Sequence, residues 1–220
     1  MNLNLIPQAG RLEFLIAKKA VFLVGLENMK NDKYRSIWKK AESLLLSGKK
    51  KDFLLHSKMV ERAMREIIVG EGGNSDILIP AAILHDVGWS EVPIELQFAQ
   101  DKESKHEALV KHIEGAPPII RRILSELNYD KDRVEKIIGL IVAHKFTDPK
   151  EKDKQMLIDA DALSDTYKES FYSDVKSYDS TPRKTWEFRS KNTFYTETAG
   201  KIFKKQLNDR LKEIKEVDGK

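Results

Sequence analysis

The chain contains no cysteine. Disulfide staples, cysteine-held zinc and thiol nucleophiles are thereby excluded, and any bound metal must be held by histidine, aspartate and glutamate. Long apolar runs are missing too, since no stretch approaches the ~18 residues that span a bilayer. The best N-terminal candidate, Ala20-Val21-Phe22-Leu23-Val24-Gly25-Leu26, is short and carries no convincing cleavage site. No membrane association and a cytoplasmic location are therefore the expectation. Aromatics are only 8% of residues. No Val/Thr/Tyr alternation marks a sheet, and no basic, aromatic-rich groove signals nucleic acid. An excess of one charge is absent as well: the net charge is +4 and the pI about 9.0. Apart from Lys49-Lys50-Lys51 the charges are interspersed, as on a solvated surface; an anionic substrate is compatible with this balance but not required by it.

What is present favours helix. The 220 residues are 40% hydrophobic and 34% charged, enough for one domain with a sizeable core and some decoration. Lys, Glu, Leu, Ile and Ala dominate. An apolar region over Leu12–Leu26 could be a helix packed on the domain, and Ser36–Leu46 reads as an amphipathic helix ending at Gly48. Phe53, His56, Val60, Ala63, Met64 and Ile67 mark a helix from Asp52 to Val69, stopped by Gly70-Glu71-Gly72-Gly73-Asn74. Pro80 suits the first turn of a buried helix reaching Leu84. Ser104–Ile113 and Ile119–Leu127 read as helices separated by Gly115-Ala116-Pro117-Pro118. Asp132 is the expected N-cap of a helix reaching His144. Met156–Tyr172 and Thr198–Val217 complete the set, while Ser173–Asn192 is polar and carries no assignment. There is no internal repeat and no clear linker.

The chemistry is concentrated in Ile83-Leu84-His85-Asp86-Val87-Gly88. A carboxylate beside an imidazole, among residues that should be buried, is costly unless compensated. A metal ion is the usual compensator, taking a hard oxygen from Asp and a nitrogen from neutral His. Any one histidine on an apolar face is more often a core residue with one satisfied hydrogen bond. Here several helices converge. His56 lies three residues after Phe53 and four before Val60, and His144 three after Ile141. His112 follows Leu109 by three, and Asp161 follows Leu157 by four. Each therefore sits on the inward stripe of its helix. His106, six residues before His112, turns away from that face and reads as a surface or substrate-contacting imidazole. Asp159 cannot share the face of Asp161; a supporting hydrogen bond or a cap is its expected job. Lys145, Lys58 and Arg62 are candidate phosphate contacts, although a solvated face explains them as well. Trp89 is either a pocket wall or a core aromatic.

The order His56, His85-Asp86, then Asp161 within Ala160-Asp161-Ala162-Leu163 resembles the HD-domain superfamily of metal-dependent phosphohydrolases. The string Leu84-His85-Asp86-Val87-Gly88 is similar to that family's HDIG variant, with Val for Ile. The resemblance covers about residues 50–170. It implies an all-α fold, a compact multi-helix bundle with metal ligands projecting inward from several helices. It also implies one or two divalent ions per chain (Mn, Fe, Co, Ni, Zn or Mg). The ligands so implied are His56, His85, Asp86 and Asp161. His112 and His144 match the additional ligands of dinuclear branches, with Asp86 bridging. The paired histidines and Gly-Tyr-Pro signature of the cyclic-di-GMP-cleaving branch are missing. The implied activity is cleavage of a small phosphomonoester or phosphodiester, a nucleotide among the candidates, by a metal-activated water, with Asp86 as the catalytic carboxylate.

Two rivals share these ligands. One is a mixed-valent di-iron oxygenase of the same superfamily, and the other a metal-stabilised regulatory domain without catalysis. The expected organisation is an N-terminal helical extension at 1–49 packed on the core, the HD domain at 50–172, and a C-terminal extension at 173–220 ending in a helix. Oligomeric state is not legible.

Overall fold

The computed structural model describes residues 34–47 and 53–218. The chain divides into two units, Met1–Ser36 and Ile37–Lys220; the second is described here. The helix expected over Leu12–Leu26, and most of the extension expected at 1–49, lie outside the described residues. Among the described residues there is no strand, and the fold is an all-α bundle.

Helix α1 (Arg35–Leu46) buries Ile37, Ala41 and Leu45, a four-residue stripe that faces the core. Helix α2 (Phe53–Glu71) buries Ser57, Val60, Ala63, Met64 and Ile67. It ends where Gly72 and Gly73 take φ of +77° and +114°, which glycine adopts without strain. Asn74 then caps α3 (Ser75–Leu84), its side chain accepting from Asp76 N at 2.9 Å. Every residue from Ile77 to Leu84 is buried, because α3 packs against α2, α6 and α7 at once. The helix thus begins five residues before Pro80, which the sequence places in its first turn. Asn74 makes a strong start signal, and burial of the whole segment outweighs the one backbone bond that Pro80 removes.

A short 3-10 helix (Val87–Glu91) and α4 (Ile94–Phe98) lead to α5 (Lys102–Glu126). Here the sequence reading is corrected: Gly115-Ala116-Pro117-Pro118 does not interrupt a helix but lies inside one. The prolines withdraw helical N–H groups from the carbonyls of Ile113 and Glu114, which sit on the half-exposed and exposed side of α5. Buried Ala116, Ile119, Ile120, Ile123 and Leu124 hold the helix to the 3-10 turn and to α6 across that point.

Helix α6 (Lys131–Ala143) is capped by Asp130, which accepts from Arg133 N at 3.2 Å; Asp132, the expected cap, lies in the first turn. The helix expected over Met156–Tyr172 is two helices, α7 (Lys152–Ser164) and α8 (Lys168–Ser177). The hydroxyls of Ser164 and Thr166 donate to the carbonyls of Asp161 and Leu163, both at 2.7 Å. Taking the last carbonyls of α7 in this way competes with helix continuation. The unassigned stretch Ser173–Asn192 holds the end of α8 and α9 (Pro182–Arg189), capped by Thr181 with Pro182 at its first position. Helix α10 (Glu197–Asp218) packs on α2, α7 and α9.

Asp159 pins that last helix. Its carboxylate accepts from Tyr195 N (2.9 Å), Thr196 N (2.7 Å) and the Thr196 hydroxyl (2.6 Å), so it caps α10 from another helix. The residue is 1% exposed. Burial raises its pKa, against the three hydrogen bonds that favour the anion. Asp159→Ala leaves two amides and a hydroxyl without their acceptor, each costing about 1–3 kcal/mol when buried. A loss of roughly 2–4 kcal/mol in urea unfolding is expected; a change under about 0.5 kcal/mol contradicts the capping role.

Candidate metal centre

The centre is built largely from helix ends. His85 follows α3 and His144 follows α6, each occupying the C-cap. Each ring turns back so that Nδ1–H donates to the carbonyl three residues earlier, Ala82 at 2.9 Å and Ile141 respectively. One local device satisfies a carbonyl left over at the helix end and fixes the tautomer, leaving an Nε2 lone pair facing inward. Both helices also point their negative dipole ends at the same place, which favours a cation there. Asp86 occupies the N-cap of the 3-10 helix at φ −106°, ψ 5°, but its carboxylate makes no capping bond. It turns instead to the histidines.

The distances are short. His85 Nε2 lies 3.3 Å from His56 Nε2 and 3.3 Å from Asp86 Oδ2. His56 Nε2 lies 3.5 Å from Asp86 Oδ2 and 3.1 Å from Asp161 Oδ1. On the other side of Asp86, Oδ1 lies 3.6 Å from His112 Nε2. Ligand atoms of His56, His85 and Asp86 fall within 4.8 Å of one another, as do those of Asp86, His112 and His144. Asp86 is common to both groups, so one carboxylate faces two clusters of imidazoles.

His85 and His112 are fully buried, and Asp86 and His144 are 5% exposed. Both ring nitrogens of His112 and Nε2 of His144 have no hydrogen-bond partner. Buried polar atoms are rarely left so. Burial lowers the pKa of His112 to about 4 and that of His144 well below its usual value. Both are thus neutral imidazoles with lone pairs free to coordinate. His56 differs. Burial opposes its charge, yet hydrogen bonds to Asp161 and Asp165 raise its pKa to about 10. Burial also opposes the charges of Asp86 and Asp161, but their neighbours hold both well below the ordinary carboxylate range, chiefly the His85 side chain for Asp86 and the Lys145 ammonium for Asp161. Nitrogen and carboxylate ligands without sulfur, with Nε2 of both His112 and His144 lacking any other partner, fit a divalent cation by donor chemistry.

A cleft of about 670 Å³ opens onto this centre, with His56, Asp86, Asp161 and Lys145 on its inner side. Lys145 donates to Asp161 at 2.6 Å. It is followed by Phe146 at φ +56°, an uncommon conformation for a bulky residue. The other candidate cations point elsewhere: neither Lys58 nor Arg62 lines the cleft. On α2 they stand two and six positions from His56, well round the helix from its face. Arg62 pairs with Glu66 at 3.1 Å and lies over the Tyr167 ring. His106 is exposed and packs edge-on against Phe146. Trp89 both lines the cleft and stacks on His112, ring centroids 4.8 Å apart.

Three residues of the site carry no local signal in the sequence. Ser164 Oγ lies 3.1 Å and Asp165 Oδ1 3.5 Å from His56 Nδ1. Arg189, from α9, binds Asp165 and Asp174, each at 2.5 Å. This arrangement orients the ring of His56 through a chain of side chains that reaches the C-terminal segment.

Among the described residues, an all-helical bundle thus gathers two aspartates and four histidines, side chains of metal-ligating type, at one centre. The HD domain family matches residues 53–166, just over half of the chain, and the chain belongs to that family. No curated protein and no solved structure matches it significantly.

Proposed function

We propose that the protein is a metal-dependent phosphohydrolase that cleaves a phosphomonoester or a phosphodiester, with nucleotides among the candidates. The observation that carries this reading is the shared carboxylate of Asp86, set between His56–His85 and His112–His144 at the floor of an open cleft. His56, once it gives up its Nε2 proton, would hold one ion together with His85, Asp86 and Asp161, and His112 and His144 would hold a second beside Asp86. A divalent ion supplies charge neutralisation for phosphoryl oxygens and lowers the pKa of water from about 15.7 towards ~7. The chain's own contribution is placement. Asp86 stays ionised and offers an acceptor for a proton at the cleft floor. Lys145, kept charged against burial by Asp161 and Asp86, offers a cation to a phosphoryl group.

The test is elemental analysis of the purified protein, paired with a phosphatase and phosphodiesterase screen on the same sample. Near two metals per chain, with phosphate release on added Mn or Co, is the expected result. Two irons with dioxygen uptake and no hydrolysis replace this reading with an oxygenase. A loaded protein that cleaves no phosphate ester replaces it with a regulatory domain.

A further inference from the structure

We infer that the substrate of this site is a phosphate ester with an apolar leaving group, aryl or long alkyl, seated in a second groove that opens off the reaction cleft. The inference rests on the phosphohydrolase reading and adds the substrate class. The second groove, about 900 Å³, shares Phe53, Trp89, Leu109 and Tyr178 with the cleft and continues over Leu96 and Phe98. A group leaving a phosphoryl centre beside Asp86 can therefore follow this apolar path outward.

Three features make that path suit an apolar group. Its wall is rigid: the Trp89 ring stacks on His112 and on Phe53, with centroids 4.8 and 5.7 Å apart and planes within 18°. A wall held this way needs little ordering when a ligand arrives. Both of its glutamine side chains are turned to the backbone. Gln97 Nε2 donates to the carbonyls of Trp89 and Val92, and Gln100 Nε2 to that of Phe98. In the cleft, Arg189 is bound to Asp165 and Asp174. Its apolar surface is also exposed, with Phe98 54% and Tyr178 57% accessible, so covering it removes apolar area from water. Among the described residues that line the groove none is acidic, and Lys105 and Lys176 are its cations. That balance does not repel a phosphate ester.

The test compares calorimetric binding of 2-naphthylmethylphosphonate and methylphosphonate to the full chain with Mn²⁺ present. Neither compound has an ester to cleave. Hydrolysis of 2-naphthyl phosphate and glycerol phosphate is followed on the same preparation. Binding of the naphthyl compound at least about tenfold tighter is expected from the apolar area it covers, with a matching fall in KM. Phe98→Ala, at an exposed position, should take about threefold or more off that preference. Equal binding of the two phosphonates, or a preference untouched by Phe98→Ala, overturns the groove assignment. Esters cleaved without the preference leave the hydrolase and remove the groove. Preferential naphthyl binding with no ester cleaved overturns the hydrolase reading and leaves the groove as an apolar ligand site.

Discussion

Asp86→Ala is expected to abolish metal retention at both positions and to reduce phosphate release by more than about 100-fold. Removal of a supporting hydrogen bond to a ligand costs ~10–100-fold in affinity or activity, and Asp86 is more than that. Its two oxygens face different imidazoles, Oδ2 towards His56 and His85 and Oδ1 towards His112. One substitution thus removes a ligand from each cluster, whereas His112→Ala removes one from a single cluster. Elemental analysis should read near zero metals for Asp86→Ala and near one for His112→Ala. Folding should survive, because Asp86 caps nothing, and thermal melts check that point. A fully metallated Asp86→Ala protein sinks the shared-carboxylate reading.

Gly88→Ala should be the most damaging small substitution in the fold. A Cβ at residue 88 would lie 2.1 Å from the carbonyl oxygen of His112 and 3.0 Å from Ala116 N. Those are helix backbone atoms, which cannot rotate aside as a side chain can. Overpacking typically costs about 1–3 kcal/mol, and a backbone clash belongs at or above the top of that range. For a chain of this size, about 3 kcal/mol lowers Tm by roughly 6–12 °C. The same clash pushes α5 away from the 3-10 turn, and with it His112 from Asp86, so metal content should fall together with stability. Gly139→Ala is the control. It lies inside α6 with nothing within 4 Å of its Cβ, and alanine there should stabilise by about 0.5–1 kcal/mol. Equal melts for the two variants would show that the close approach at Gly88 carries no cost.

The parts of the fold legible in the sequence are those governed by local periodicity. The stripe through Phe53, Val60, Met64 and Ile67 predicts α2 almost to the residue, and the glycines after it mark its end. Pro117-Pro118 read as a break because proline opposes helix locally, yet apolar residues on both sides bind α5 to its neighbours. Met156–Tyr172 read as one helix because its apolar period runs on, while the stop comes from hydroxyls of Ser164 and Thr166 taking carbonyls of their own turn. For Asp159 the sequence offers a supporting hydrogen bond or a cap as alternatives. The cap's partners, 36 and 37 residues away, carry no local signal.

By itself the sequence determined the helical class, the absence of thiol chemistry and the six inward-facing His and Asp residues. Helical spacing dictates which face a side chain occupies, and burying several unpaired polar groups demands a common partner. The family resemblance implies Asp86 as a shared ligand, but only the tertiary structure decided the contacts around it. That its two oxygens face different imidazoles, that Arg189 reaches back through Asp165 to His56, and that Arg62 faces away all depend on how helices distant in sequence cross. Crossing is set by packing of whole faces, through close approaches such as Gly88 against His112. Neither spacing nor composition encodes that distance.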